Sequence, residues 1–419
     1  MRIVYERAAG LDIHSRSVQA CVDLPDPQQG RRSEQLPFAT YFDGLQALAD
    51  WLAHCHVQGV AMESTGVYWK PVWYVLEQRR PDIKRILVNP RHVKTLPGRK
   101  TDATDAAWLA ELAAYGLLHP SLVPDRAIRQ LGDVTRYRSK VIAMRAGEAN
   151  RIHTLLEDAG IKSGTLVADI RGKSARAMLE ALIAGERDVT VLADMAMTRM
   201  RAKIPELRRA TAGYFDDHHA IVLRAQLDHI DHLNGLQARL DARIATLMAP
   251  FAQDCAHLIT VPGYSTGIIE VLIAETTGDM SHFPTADHLA SWACMCPGNR
   301  ESAGKRTCGR TRDGNPYLRL ALVEAARAAV RTSTYHAGLY RNLLRNLGNN
   351  PIGKNKAALA VGHSLLIATW HILTSKVDYV DLGPGYYHDR LDPEREAARL
   401  IKKLEKLTGK KVTLEQSAA

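Results

Sequence analysis

AAGLDIHSRSVQACV, residues 8–22, decides how the first part of the chain folds. It holds two β-type runs, Ala8–Ile13 and Ser17–Val22, and a third follows at Gln35–Thr40. Asp43 then caps an expected helix whose apolar face is Leu45, Leu48, Trp51, Leu52 and Cys55. Gly59–Glu63 reads as a strand, Val67–Gln78 as a helix and Lys84–Val88 as a strand. Asn89-Pro90 breaks the pattern, a basic loop follows, and a helix is expected from about Thr101 to Tyr115. Three strands, then strands alternating with helices, predict a mixed sheet covered by helices.

Four acids stand out in that layout. Asp12 falls inside the first strand, where alternation asks for an apolar residue, and Glu63 ends the fourth. Asp102 and Asp105 are three apart near a helix start, so they share one face. Taken singly, each has an ordinary explanation: a helix-start carboxylate, a cap, a strand terminator. As a set they read as a metal site, because clustered carboxylates repel unless cations neutralise them. Hard divalent ions take oxygen ligands, and two such ions can clamp an in-line phosphoryl transfer.

The second informative stretch is PGNRESAGKRTCGRTRDGNPYLR, residues 297–319. Glycines and six Arg/Lys surround Ser302, and Asn315-Pro316 opens a helix. Glycine lets backbone approach a ligand closely, and guanidinium groups suit phosphate oxygens. The stretch therefore reads as a phosphate-handling loop with a candidate nucleophile, against the alternative of a solvated basic loop. Lys305, Arg306, Arg310, Arg312 and Arg319 are its candidate nucleic-acid contacts. Thr307, Ser281 and Ser291 are weaker nucleophile candidates. The whole chain carries a formal charge of +10, and twelve Arg/Lys against three acids between residues 297 and 356 account for most of it. A polyanionic partner explains that concentration. Aromatics are only 6%, so recognition built mainly on stacked bases is not favoured.

The middle of the chain is helical. Residues 125–158 carry a stripe of Ile128, Leu131, Val134, Val141, Ile152 and Leu155 with arginines between, and 161–212 reads as short helices. From Tyr214 to Met248, Leu223, Ile230, Leu233, Leu240, Ile244 and Leu247 make a coiled-coil-like seam, whose partner is either another helix of the chain or a second subunit. At 258–278 a Pro-Gly turn joins two apolar helices, either a plain hairpin or one that presents its turn to a phosphate. GNNPIGK, residues 348–354, has the spacing of a nucleotide-binding loop, but Asn355 stands where Ser or Thr would hold the metal and the preceding run is helical. Cys294, Cys296 and Cys308 with His288 match no usual zinc module. Six cysteines without a CxxC pair fit a reducing cytoplasm, the polar N-terminus predicts no secretory signal, and Ala357–Leu373 is read as a buried helix rather than a membrane span. The last forty-odd residues form a charged amphipathic helix and tail.

GLDIHS, ESTGVYW, KTDATDA, VPGYSTGIIEVLIAETTGD and CPGNRESAGKRTCGRTRDGNPYLR occur in order over residues 8–345. This series resembles the DEDD-type serine transposases of insertion sequences of the one-ten type, the bridge-RNA-guided recombinases. The resemblance implies α/β plus α: a RuvC-like, ribonuclease-H-like mixed sheet (1–124), a helical coiled-coil region (125–252), a mostly helical serine transposase domain (253–375) and a charged helical tail (376–419). It implies that Asp12, Glu63, Asp102 and Asp105 hold Mg²⁺ (or Mn²⁺) and that Ser302 is the nucleophile. Ala303 departs from the family, where many members have glycine, which bears on loop geometry rather than on the hydroxyl.

The implied activity is DNA strand cleavage and exchange through a phosphoserine intermediate. Implied partners are element-end and target DNA, a guide RNA encoded by the element, and further copies of the chain as a dimer or tetramer, in the cytoplasm and without a membrane. The alternative is a RuvC-like, metal-dependent, structure-selective DNA endonuclease in which Ser302 is only a loop residue. A non-catalytic nucleic-acid-binding protein ranks last, because all four acids and the serine are present.

Overall fold

Strand β1, Ala8–Ile13, is the middle member of a five-stranded sheet in the order β3-β2-β1-β4-β5. The computed structural model describes residues 2–28, 30–93, 105–162, 164, 172–297, 300–302, 305–308, 311, 314–386 and 393–412. These fall into two units, Met1–Pro124 and Asp125–Ala419. In the first, β2 (Ser17–Asp26) pairs antiparallel with β1 and with β3 (Gly30–Ala39), while β4 (Gly59–Glu63) and β5 (Lys84–Val88) continue parallel on the other side. The sheet is mixed, as the run of strands and then alternating helices predicts. Strand β3 begins five residues before the expected Gln35. It is an edge strand with almost every residue exposed, so no hydrophobic alternation marks its start. Its length comes from pairing, Ser17↔Ala39 through Asp26↔Gly30, with Arg31 Nε on Asp23 Oδ2 at 2.8 Å.

Alternation along the central strands separates two cores. Ala9, Leu11 and Ile13 of β1, with Val60, Met62 and Leu87, pack under α1 (Phe42–His54) and α2 (Trp69–Arg79) through Leu45, Leu48, Leu52, Val72 and Leu76. Ala8, Ala61, Ile86 and Val88 face the other way, onto Leu109, Leu112 and Ala113. A short α3 (Pro90–Val93) precedes α4 (Asp105–Ala114), which carries those last residues. Helix α4 lies directly on β1. A Cβ on Gly10 would stand 2.1 Å from Ala106 O and 2.5 Å from Ala110 N, so only glycine fits there.

The second unit is built on two long helices, α5 (Arg126–Asp158) and one over Asp217–Met248, which becomes α9 after α6 (Lys173–Ile183), α7 (Val189–Asp194) and α8 (Ile204–Ala210). Asp125 accepts from Ile128 N to cap α5, and Asp216 with His219 forms a capping box on α9. The two helices run antiparallel: Arg145 meets Gln237 at 2.8 Å, Glu148 meets His229 at 2.9 Å and Arg138 meets Asp241 at 3.0 Å. The α9 seam therefore pairs with α5 of the same chain. Leu223, Ile230, Leu233 and Ile244 are buried as the spacing predicts, with Leu227 and Met248 in place of Leu240 and Leu247. An α-helix repeats at 3.6 residues rather than 3.5, so a strict heptad stripe drifts off the contact over this length.

Helices α10 (Ala252–Leu258), α11 (Thr266–Thr276), α12 (Ala286–Trp292), α13 (Pro316–Ala329), α14 (Tyr335–Leu347) and α15 (Pro351–Ser375) complete this unit, followed by α16 (Pro393–Thr408). Gly263, in the Pro-Gly turn, has φ +90°, and its Cα faces Ala325 and Ala329 of α13. Helix packing thus accounts for that turn. Asn350 accepts from Gly353 N and caps α15, so GNNPIGK is a helix-to-helix turn. By length and composition α15 could cross a membrane, yet half of its most apolar window is buried. Its Gly362 sits against Met295 and Leu322. Between α12 and α13, β6 (Arg300–Ser302) and β7 (Lys305–Cys308) form an antiparallel pair. On α14, His336 is buried, 3.3 Å from the Tyr379 hydroxyl and 3.5 Å from Ser364 Oγ, and burial pushes its pKa down to about 4.

Two stability measurements follow. Gly10→Ala is expected to cost about 1–3 kcal/mol by overpacking, while Gly147→Ala, with open space inside α5, gains up to about 1 kcal/mol; urea denaturation of the full chain measures both. An unfolded histidine titrates near pH 6.5. The contribution of neutral His336 is therefore complete above that pH and is lost as pH falls toward about 4. His336→Gln is expected to flatten the fall of melting temperature across that window.

Candidate active site

Strand direction and pleat bring three of the expected acids to one end of the sheet. Asp12 shares the face of Ala8 and Gly10, and Glu63 shares the face of Ala61. Because β1 and β4 are parallel with Leu11 opposite Met62, the residues that follow, Asp12 and Glu63, are neighbours across adjacent strands. Helix α4 runs against β1 so that its C-terminal residues Ala113 and Ala114 sit with Ala8, and Ala114 O accepts from Val4 N at 2.8 Å. Its first residue, Asp105, consequently lies toward the Asp12 end. Asp102 lies outside the described residues.

Asp12 and Glu63 are partly exposed at the strand ends, and Asp12 Oδ2 is 3.1 Å from His14 Nε2. As donors, these carboxylates have the chemistry of a hard-cation site, all oxygen and all anionic. Among the described residues no three such side chains already stand within reach of one ion, a set that leaves Asp102 uncounted. The donor types would suit a divalent cation.

Ser302 is the last residue of β6, paired with Lys305 of β7, and a register irregularity separates Arg300 from Glu301. The stretch expected as a loop is thus a short two-stranded ribbon, with a further bridge between Pro297 and Thr311. Its glycines and basic residues carry no alternation that would have marked strands. The side chains of Ser302, Lys305 and Arg306 lie outside the described residues, as do Arg310 and Arg312 altogether. Arg319 is described, and its Nη2 donates to Cys294 O at 3.1 Å. Of the imagined zinc ligands, Cys294 and Cys296 are free thiols, and His288 bonds Thr285 at 2.8 Å.

A polar hub supports the helix that follows the ribbon, and nothing in the local sequence announces its partners. Glu275 of α11 is buried. It takes a two-pronged bond from Arg136 of α5, Nε to Oε1 at 2.8 Å and Nη2 to Oε2 at 2.6 Å, and a further bond from Asn315 Nδ2. Asn315 Oδ1 meanwhile accepts from Tyr317 N and Leu318 N at 3.0 and 3.1 Å, capping α13. The Arg136 guanidinium lies 5.3 Å from the Tyr317 ring centroid. Gly314 closes the approach, since a Cβ there would meet Ala293 O at 2.5 Å. The sequence offers a weak signal for this hub: Glu275 is one of two acids, with Glu270, in the largely apolar run IIEVLIAETT.

Comparison with known families gives two matches. Residues 9–161 match the DEDD-type domain of IS110, described as a transposase, and residues 255–341 match the domain described as transposase of the IS116/IS110/IS902 family. The first match spans β1 to α5 with Asp12, Glu63, Asp102 and Asp105, and the second spans α10 to α14 with Ser302. No curated protein matches the sequence. The two matches together cover more than half of the 419 residues, the first running from the first unit into α5 of the second, and the chain belongs to the IS116/IS110/IS902 family of transposases, enzymes of DNA recombination.

Proposed function

We propose that the protein exchanges DNA strands through a covalent link to Ser302, aided by the acids of the first unit. Ser302 Oγ attacks a backbone phosphorus, the bond to the leaving deoxyribose oxygen breaks, and that oxygen takes up a proton. A hydroxyl of the incoming strand then attacks the same phosphorus and frees the serine. Serine is weakly nucleophilic without activation. Mg²⁺ or Mn²⁺ bound by Asp12, Glu63, Asp102 and Asp105 would supply charge neutralisation at the phosphate. Lys305, Arg306, Arg310, Arg312 and Arg319 are assigned to the DNA backbone around the serine.

The reading is carried by the delivery of Asp12, Glu63 and Asp105 to one end of the sheet by β1, β4 and α4. It is supported by the position of Ser302 on a basic ribbon joined to a capped helix start. On this reading 1–124 is a RuvC-like metal domain, 125–252 a helical spacer, 253–375 the serine domain and 376–419 an appended tail. The resemblance to bridge-RNA-guided recombinases extends the proposal to a guide RNA and to a homo-oligomer. The exposed Arg327, Arg331 and Arg341 of the second unit suit nucleic-acid backbone. One observation favours the endonuclease alternative: the acids and Ser302 belong to different units.

The two readings diverge on a denaturing gel. Ser302→Ala is expected to abolish the covalent protein–DNA adduct and lower strand exchange by several orders of magnitude while DNA binding persists. Cleavage at the wild-type rate would establish the endonuclease instead. Asp12→Asn and Glu63→Gln are each expected to remove most activity, and chelation with EDTA to stop the wild-type enzyme until Mg²⁺ is restored, followed as product formed from a labelled oligonucleotide.

A further inference from the structure

The end of the sheet that holds the acids also holds a row of exposed side chains whose order follows the strands. After β3 ends at Ala39, Tyr41 and Phe42 are 78% and 66% exposed. Thr40 ties this corner to the β1–β2 turn, its N–H donating to Arg16 O at 3.3 Å and its Oγ1 to Ser15 O at 3.0 Å, and Arg16 is itself exposed. Between this corner and the next lie the ends of β1 and β4, whose Asp12 and Glu63 are on the sheet face turned to α4, opposite to the face covered by α1 and α2. Beyond Glu63 the chain passes Gly66, with φ +56°, to Val67 and Tyr68, 63% and 46% exposed. Strands lie about 4.8 Å apart. The three steps from β3 to β4 therefore span about 14 Å, the length of about four stacked nucleotides at roughly 3.4 Å each.

The aromatic residues occupy positions that helix stability would assign otherwise. Tyr41 is the N-cap of α1 and Tyr68 the N-cap of α2, and neither makes a side-chain cap bond. Ser, Thr, Asp or Asn would supply one there. Two helices beginning at the same end of one sheet thus forgo their caps for exposed tyrosines, one of them followed by an exposed phenylalanine. In a chain with 6% aromatics this local grouping is informative. Overall scarcity argues against stacking as the general mode of recognition, and it leaves open a stacking site confined to this end.

We propose that the row is a platform for an unpaired DNA strand. Bases stack on Tyr41 and Phe42 on one side and on Tyr68 on the other, Arg16 meets a phosphate between them, and the backbone crosses Asp12 and Glu63. Stacking on exposed aromatics is sequence-tolerant because every base has a π face, and the adjacent arginine supplies the backbone contact. The proposal rests on the reading of the acids as the DNA-processing site and adds that the substrate there is single-stranded.

Fluorescence anisotropy of the full-length protein in EDTA tests it, using a labelled twelve-nucleotide single strand and the duplex of the same sequence. The Tyr41→Ala/Phe42→Ala double variant is expected to weaken single-strand binding about tenfold or more and to leave duplex binding unchanged. The swap Tyr41→Phe/Phe42→Tyr is expected to bind as the wild type does. Arg16→Ala is expected to reduce the slope of log affinity against log salt by about 0.7, which the aromatic variants leave intact. Wild-type single-strand affinity in the double alanine variant overturns the proposal, and so does an equal loss on duplex, which would mark a general surface. A melting curve confirms that each variant is folded. Asp12→Asn, assayed for cleavage, addresses the metal-site reading separately, because the stacking measurement uses no divalent ion.

Discussion

The contact of Gly10 with α4 is the constraint on which the first unit depends. Ordinary helix-on-sheet packing leaves room for side chains between the layers; here Ala106 and Ala110 meet a strand residue with no side chain at all. Cys21, the strand neighbour opposite Gly10, is buried in the same contact, and its surroundings push the thiol pKa up to about 11, chiefly by desolvation. The close approach places the first turn of α4 at the level of the strand ends, so that Asp105 lies at the same end of the sheet as Asp12 and Glu63. Were α4 raised by the width of a methyl group, Asp105 would move away from Asp12 while every local preference stayed satisfied. The position of the acids is a consequence of the smallest residues beneath them.

In the second unit the corresponding part is played by Glu275. A buried carboxylate is costly unless paired and fully hydrogen-bonded. Glu275 meets that requirement with Arg136 and Asn315, and its bond to Arg136 raises the guanidinium pKa further. Breaking such a pair from the guanidinium side costs about 3–5 kcal/mol. The hub joins α5, α11 and the cap of α13, so the helix that follows the Ser302 ribbon is held by a specific polar network as well as by apolar packing. Apolar contacts alone would tolerate small rotations of α13; a two-pronged carboxylate bond does so much less.

What was legible in the sequence follows the physics of pattern. Short, nearly continuous apolar runs in AAGLDI and GVAME mark central strands buried on both faces, and the acids Asp12 and Glu63 stand out against them. Exposure removes alternation from the edge strand β3, so its first five residues carry no strand pattern. Glycine, arginine and lysine carry no strand signal, so the stretch around Ser302 has the sequence of a loop, although pairing between β6 and β7 makes it a ribbon. The seam of α9 was visible, while its partner α5 was not, since a stripe shows only that something covers it. The hub of Glu275 was out of reach, its partners lying 139 and 40 residues away along the chain.

The antiparallel pair of α5 and α9 also biases the order in which its contacts can close. At one end, Asp158 meets His219 across 61 residues (219 − 158); at the other, Gln130 meets Arg243 across 113. Loop-closure entropy favours the nearer contact, and each later contact adds only a small increment once its predecessor is made. The bias is small, about 0.6 kcal/mol for a doubling of loop length, and it favours starting at the end enclosed by α6, α7 and α8, where Ile152, Leu156, Leu223 and Leu227 share one core. Arg136 lies near the far end of the zipper and is among the last residues to be fixed. On this order the hub that caps α13 closes only after the long α5–α9 pair is in register, so it depends on a scaffold formed elsewhere in the unit.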